Sequence, residues 1–299
     1  MDTERLLKSI QVKFEKDAPM SRYTSFGVGG SADYLVFPAD VNEIKLLLGT
    51  VKSAGVPLLI MGKGTNLLVR DGGLRGVAVQ LGSAFNYFRA EGTEVVVGAG
   101  ALLSHLARKA VDGGLSGLEF ASGIPGTVGG GVIMNAGAFG GTVGGLVREL
   151  GFVNFDGEPG RIGHEEIVFG YRWSSLRENK GVITDCRLSL EEDYPGKIAE
   201  RMREMIEVRR QRQPRLPSAG SVFRNHPSIP AGKLVETAGG KGLCVGGARV
   251  SEEHANFIVN AGGATAGDIL DLIDMIRERV MKTHGIDLEL EIEIVGEDR

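Results

Sequence analysis

The chain lacks an excess of charge of either sign. Its 34 basic and 38 acidic side chains leave a formal net charge of −4, which argues against a nucleic-acid partner. Cysteine is scarce as well: Cys186 and Cys244 stand far apart with no CxxC spacing. A disulfide framework and a thiolate zinc site are therefore not expected, and a reducing cytoplasm is the default compartment. The five histidines do not pair at metal-ligand spacings, so no metal is expected. Met1-Asp2-Thr3-Glu4-Arg5 has no apolar h-region, and no signal peptide is expected. Phe120 to Val147 carries no charge and has the length of a membrane span. Its ten glycines between Gly123 and Gly145, with Pro125 and Asn135, argue against one. No membrane association is expected, and the chain is read as a monomer.

Glycine is what the chain has in excess: 46 of 299 residues, near twice the usual share of roughly 7%. The densest run is Gly123-Ile-Pro-Gly-Thr-Val-Gly-Gly-Gly-Val-Ile-Met-Asn-Ala-Gly-Ala-Phe-Gly140. Glycine weakens helices and strands, so a chain that concentrates it gains something else. One gain is close backbone approach with N–H groups turned to an anionic ligand such as a dinucleotide. The plainer alternative is a set of tight turns between short strands.

The length suggests about two domains, and the pattern suggests strands alternating with helices. Asp40 to Ala54 reads as a helix, with Asp40 and Glu43 as a capping box, Ile44, Leu47, Leu48 and Val51 on one face, and Gly55 as its stop. Val56 to Met61, Leu67 to Val69, Gly76 to Leu81 and Glu94 to Gly98 read as strands. Leu102, Leu103, Leu106 and Ala110 mark a second helix, ended by Gly113-Gly114. Gly151 to Phe155 and Val182 to Leu188 are further strands. Lys197 to Arg212 is a basic helix with Ile198, Met202, Met205 and Ile206 on its apolar side. Pro214 and Pro217 then open a linker-like segment and a candidate domain boundary. Thr265 to Thr283 is a helix capped by Thr265 and Asp268, with a stripe of Ile269, Leu272, Ile273, Ile276 and Val280. Leu288 to Val295 alternates strictly and reads as a strand with one acidic face. These elements make an α+β or α/β core.

Several segments invite a chemical reading and leave it open. Gly62-Lys63-Gly64-Thr65-Asn66 follows a strand, but Leu67 stands where a Rossmann fingerprint needs its third glycine, and no Walker A sequence exists. What remains is a pyrophosphate cradle of another kind or an ordinary turn. Arg172, between Tyr171 and Trp173, is either a surface cation–π contact or a guanidinium aimed at an anionic intermediate. Ser221 follows Gly220 with no nucleophile elbow around it, so it sits in an ST-turn or presents its hydroxyl. Lys241 lies among Gly239, Gly240 and Gly242, which suits phosphate contact. His254 is as much a structural histidine as a functional one. Glu289, Glu291 and Glu293 are a solvated edge, or one of them serves a flavin or substrate.

Taken together, these segments resemble the UDP-N-acetylenolpyruvoylglucosamine reductases. The matching stretches are Tyr23 to Gly30, Gly62 to Val69, Gly123 to Gly130 with Met134 to Gly137, Phe169 to Ser174, Ala219 to Asn225, Lys241-Gly with Gly246 to Ala248, His254 to Phe257, and Glu289 to Glu291. They run in order from about residue 20 to residue 296. The resemblance implies an α+β fold: a two-lobed FAD-binding module of the vanillyl-alcohol-oxidase type plus a C-terminal α+β substrate-binding domain. The module would span 1–192, with lobes of about 20–81 and 82–192 and the last strand, 288–296, returning to it; the substrate domain would span 193–287. The short connection after Tyr171 resembles the family's shorter form, which lacks an extra tyrosine-bearing loop. Phe139-Gly140-Gly141 departs from the tyrosine, glycine and acidic residue more usual there.

The resemblance also implies FAD as cofactor, NADPH as hydride donor, a UDP-sugar substrate and a place in peptidoglycan precursor synthesis. The catalytic residues carry over onto Arg172, Ser221 and Glu291; a second negative charge beside an enolate would oppose the reaction, so Glu291 can assist only if protonated. FAD would be held by Gly62, Lys63, Gly64, Thr65, Asn66 and Leu67, by Ser122, Gly123, Pro125, Gly126, Thr127, Gly129 and Gly130, by Asn135, Ala136 and Gly137, and by Arg224. Substrate would be held by Tyr171, Arg209, Asn225 and Lys241. Two rivals remain at this stage. One is an FAD-dependent sugar or alcohol oxidase of the same fold, although Arg70-Asp71-Gly72-Gly73-Leu74 lacks the histidine that many such enzymes use for covalent flavin attachment. The other is a non-catalytic nucleotide-binding regulator.

Overall fold

The computed structural model describes residues 3–178 and 181–298. Met1 and Asp2, where the reading of the N-terminus begins, lie outside the described residues. By contact the chain forms two compact units: Met1–Glu15, Tyr34–Gly62 and Gly76–Arg209 make the first, and Lys16–Asp33, Lys63–Arg75 and Arg210–Arg299 the second.

The first unit begins with helix α1 (Thr3–Ser9) and α2 (Val41–Ala54). Asp40 caps α2 through its carboxylate, which accepts from the Glu43 N–H at 2.9 Å. The Glu43 side chain accepts from Ala39 at 2.8 Å rather than from Asp40, so the box is displaced by one residue. Gly55 ends the helix in the left-handed region at φ 63°, as C-terminal glycines do. The apolar face of α2 joins Leu7, Val12, Val36, Val77 and Val79 in a small core. The strand Leu58–Met61 pairs in parallel with 77–80, Leu58 opposite Val77 and Met61 opposite Gln80.

A five-stranded antiparallel sheet carries the rest of this unit. Its order is Pro159–Gly163, Val147–Val153, Val182–Ser189, Glu94–Gly98, Phe88–Glu91. Val182–Ser189 is the middle strand, and Val182, Thr184, Cys186 and Leu188 are all buried on it. Helix α3 (Leu103–Asp112) buries Leu103, Leu106, Ala107 and Ala110. The glycine run is not merely turns: Val128–Ile133 forms a short helix, α4, with Thr127 accepting from Gly130 N–H at 3.3 Å.

Helix α5 (Pro195–Arg212) departs from its expected apolar side. Only Ile198 is buried on it, Met202 and Met205 are partly covered, and Ile206 is 38% exposed. The same helix also carries a charge network at Arg201. Its guanidinium donates to Glu119 and Asp193, each at 2.7 Å.

The second unit contains α6 (Ala231–Thr237) and α7 (Ala266–His284). The capping box of α7 is complete: Thr265 Oγ1 accepts from Asp268 N–H at 3.0 Å and Asp268 accepts from Thr265 N–H at 2.9 Å. Asp71 adds a second cap, accepting from Ala266 and Gly267 N–H at 3.0 and 2.9 Å. The expected stripe, Ile269 to Val280, is buried against Phe26, Leu68, Phe223, Leu234 and Ile258. Cys244–Val245, Ala248–Val250 and Ile258–Asn260 form a three-stranded sheet.

The last strand is shorter than its alternation suggests. Only Glu293–Val295 forms a strand, parallel to Leu67–Val69, with Glu293 opposite Leu67 and Val295 opposite Val69. A three-residue partner can match only three residues. The preceding residues turn to another neighbour: Phe223 bridges Leu290, and Arg224 N–H donates to Glu289 carbonyl at 2.8 Å. No helix among the described residues is long and apolar enough to cross a membrane.

Candidate active site

In the first unit, the two stretches expected to hold a flavin meet although 65 residues separate them. A Cβ on Gly62 would stand 2.5 Å from Thr127 Oγ1, so any larger residue at 62 pushes the two loops apart. Within the glycine run much of the close approach is made to the protein itself. Val128 and Gly129 N–H donate to Ala101 and Ala99 carbonyls at 2.8 and 2.9 Å, and Gly131 N–H to Thr127 carbonyl at 2.8 Å. Ser122 Oγ turns back to Glu119 carbonyl at 2.7 Å. Pro125 and Gly130 are exposed, and Gly123, Gly126 and Gly129 half-buried.

The Asn135 amide knits this run to the next. Buried and at φ 42°, it donates to Gly170 carbonyl at 2.9 Å and accepts from Gly144 N–H at 3.0 Å. Ala136 N–H donates to Gly131 carbonyl at 2.7 Å. Gly170 belongs to a hairpin in which Phe169–Gly170 pairs with Trp173–Ser174 across Tyr171 and Arg172. Arg172 has φ 52°, uncommon for a residue with a side chain and a pointer to function. Its guanidinium donates to Gly137 carbonyl at 2.9 Å and lies 5.5 Å from the exposed Tyr171 ring. The cation–π contact is thus present, and the Gly137 bond fixes the guanidinium beside it.

Arg209 stands on the same run, its Cδ 2.6 Å from where a Cβ of Gly123 would be. Burial, and then the charge of Arg172, push its guanidinium below the ordinary arginine value. Two cations held this way favour an anion beside them, since it relieves both the desolvation and the repulsion. The meeting of Gly62 with Thr127 in a glycine-rich backbone fits a dinucleotide such as FAD, and the pair of guanidiniums fits an anionic group beside it.

In the second unit, Lys63 is exposed and Gly64 buried against Tyr23 carbonyl. Thr65 is half-buried and Leu67 buried. Asn66 Nδ2 donates to Glu291 carbonyl at 3.1 Å, and Asn66 carbonyl accepts from Glu293 N–H at 2.9 Å. Glu291 is half-buried, unlike the exposed Glu289 and Glu293, and its N–H donates to Val222 carbonyl at 2.8 Å. Arg224 lies 4.0 Å from Glu289.

A cleft of about 290 Å³ brings together Ser221, Asn225 and Lys241, with Lys233, Glu236, His254 and Asn256 also on its wall. Ser221 is half-buried. Asn225 Oδ1 accepts from Ala231 N–H at 2.9 Å, at the start of α6. Lys241 Nζ is 2.9 Å from Glu236, which it shares with Lys233 at 3.3 Å. Burial, and then the Lys241 charge, push the His254 pKa down. His254 Nδ1 accepts from Asn256 N–H at 3.2 Å, so the neutral ring carries its proton on Nε2. Glu236 and Asn256 were not singled out from sequence. Glu236 lies in a helical stretch with no motif around it; Asn256 sat unmarked inside His254-Ala-Asn-Phe257.

Comparison with known proteins gives the family. Residues 32–163 match an FAD binding domain family, and residues 212–295 match the family described as UDP-N-acetylenolpyruvoylglucosamine reductase, C-terminal domain. The reductase of that name from Heliobacterium modesticaldum is 43% identical over 295 residues, covering 98% of this chain and 94% of that protein. The one from Moorella thermoacetica is 45% identical over 293 residues, covering 98% and 96%. The crystal structure of the Thermus caldophilus reductase superposes with a TM-score of 0.82 at 38% identity, covering 96% of this chain and 99% of that one. The chain belongs to the UDP-N-acetylenolpyruvoylglucosamine reductase family.

Proposed function

We propose that this protein is an NADPH-dependent flavoenzyme that reduces the enolpyruvyl ether of UDP-N-acetylglucosamine to UDP-N-acetylmuramate in peptidoglycan precursor synthesis. Beyond family membership, the observation that carries this reading is the cleft that gathers Ser221, Asn225 and Lys241. It combines a hydroxyl, an amide and a cation, as reduction of an anionic sugar nucleotide requires. In this reading residues 1–192, with the last strand 288–296, form the FAD module and 193–287 the substrate domain. The enzyme works as a cytoplasmic monomer without nucleic-acid partners.

When bound, FAD would supply two-electron chemistry, by which hydride from NADPH reaches the terminal vinyl carbon of the substrate. The residues of Gly62 to Leu67, Ser122 to Gly130 and Asn135 to Gly137, with Arg224, would hold it. Hydride addition leaves negative charge on the neighbouring carbon, delocalised into the carboxylate as an enolate. Arg172 stabilises that charge. Its Gly137 bond holds the guanidinium in place, so little reorganisation is needed when the charge develops. Ser221 delivers the proton that completes the new C–H bond. A hydroxyl is a weak acid, but the enolate carbon is a strong base. Glu291 is the third catalytic group, and it can assist only when protonated, since a carboxylate beside an enolate opposes the reaction. Lys241 and Asn225 bind the UDP-sugar, with Tyr171 and Arg209 as further substrate contacts.

Anaerobic titration of the purified holoenzyme tests the reading. NADPH bleaches the flavin, the enolpyruvyl sugar nucleotide restores it, and oxygen alone restores it slowly. Rapid reoxidation by oxygen with no response to the enolpyruvyl compound would identify an oxidase instead; a protein without flavin would identify a binding regulator.

A further inference from the structure

Asn256 is 3% exposed, yet it carries a full amide. Both ends of that amide are engaged by one residue. Its Oδ1 accepts from Phe223 N–H at 2.9 Å, and its Nδ2 donates to Phe223 carbonyl at 2.8 Å. Its own main-chain carbonyl accepts from Val222 N–H at 2.8 Å. The side chain thus serves as a strand partner for 222–223. On the other side, Val222 carbonyl accepts from Glu291 N–H, and Phe223 bridges Leu290.

Ser221 immediately precedes this clamped segment. On its N-terminal side stands Gly220 at φ 78°, where an added Cβ would meet nothing within 4 Å. Ala219 before it is buried in the same core as Val222 and Phe223, but the directional polar restraint on this segment comes from the Asn256 side. Ser221 and Asn256 also line the same cleft. Among side chains of this length, asparagine offers one donor and one acceptor at once. Aspartate keeps only the acceptor, and serine is too short to span both Phe223 groups. Loss of the amide would leave buried Phe223 groups unsatisfied, and the segment would shift.

We propose that Asn256 is a positioning residue that holds the Ser221 hydroxyl in register for proton delivery. This rests on Ser221 being the proton donor. A displacement of about 1 Å can cost on the order of 10²-fold in rate. Both ends of the Asn256 amide go to Phe223, while Lys241 stands on a separate segment, so the Lys241 contact depends on Asn256 less.

The test uses the FAD-loaded full chain with Asn256→Asp and Asn256→Ser, each in the wild-type and Ser221→Ala backgrounds. Rapid mixing follows bleaching by NADPH and reoxidation by the enolpyruvyl sugar nucleotide. With Ser221 present, we expect bleaching within about twofold of wild type, reoxidation slowed roughly tenfold or more, and KM changed less than kcat. In the Ser221→Ala background, the Asn256 changes should slow reoxidation little further, because two residues acting as one unit are not additive. Equal slowing in both backgrounds would overturn the proposal and leave Asn256 a stability residue. If one Asn256 variant does not fold, the other carries the comparison. Ser221→Ala reoxidising at the wild-type rate would remove the serine from the mechanism. It would do so with residue 256 unchanged, so the two failures are separable.

Discussion

The Asn66 side-chain amide donates to the main-chain carbonyl of Glu291 at 3.1 Å. With the Glu291 N–H bonded to Val222, this fixes both polar backbone groups of the proposed catalytic glutamate. Asn66→Ala removes one of the two restraints. We expect kcat to fall by about tenfold, within the range for lost positioning, and KM to change less. Steady-state kinetics with the enolpyruvyl substrate reads the split; a pure KM effect would place Asn66 in binding instead.

Arg172 reaches the Gly137 carbonyl by a directional guanidinium bond. Lysine keeps the charge but not the planar fork. Arg172→Lys should retain its flavin absorbance and lose about 10²–10³ in kcat, the usual scale for one preorganised donor. Flavin reduction by NADPH should be near normal. A variant as active as wild type would remove Arg172 from charge stabilisation.

Lys241 is paired with Glu236 in the cleft, and a diphosphate would draw it away. Lys241→Ala should raise KM for the UDP-sugar more than it lowers kcat, the signature of a ground-state contact. The affinity lost should also shrink at high salt, because charge pairing is screened. A fall in kcat at constant KM would contradict this role.

Glu119 predicts a pH effect on stability. Burial alone would raise its pKa, but hydrogen bonds from Arg201, the main chain including Gly117, and Ser116 outweigh it and hold the carboxyl below the usual range. A folded-state pKa below the unfolded one stabilises the protein above the ordinary glutamate value and loses that stabilisation as pH falls through the folded one. Thermal melts should find Glu119→Gln less stable than wild type at neutral pH. The gap should begin to narrow as the pH falls below about 4.3, the ordinary glutamate value, and close only below the lower folded-state one. A gap independent of pH would mean that the Glu119 charge contributes nothing.

Much of the local structure was legible in the sequence. The caps at Asp40 and Thr265, the stop at Gly55 and the stripe on α7 follow from short-range hydrogen bonding and helical periodicity. The reading was weaker where a partner decides. Leu288 to Val295 alternates throughout, yet only Glu293–Val295 joins Leu67–Val69, because strand length depends on what lies alongside. Ile206 looked apolar-facing and is exposed, because which flank of a helix is covered depends on what packs beside it.

The residues themselves determined that glycine, arginine, serine and glutamate occur in the order of a flavin-dependent reductase, since motif order is a property of the chain. Only the tertiary structure decided what each glycine is close to. Gly62 comes against Thr127, and Gly129 against Ala99, because approach distances are set by how distant segments pack. The same holds for Asn256. Its amide has no meaning in the linear sequence and acquires one when Phe223 is brought to both its ends.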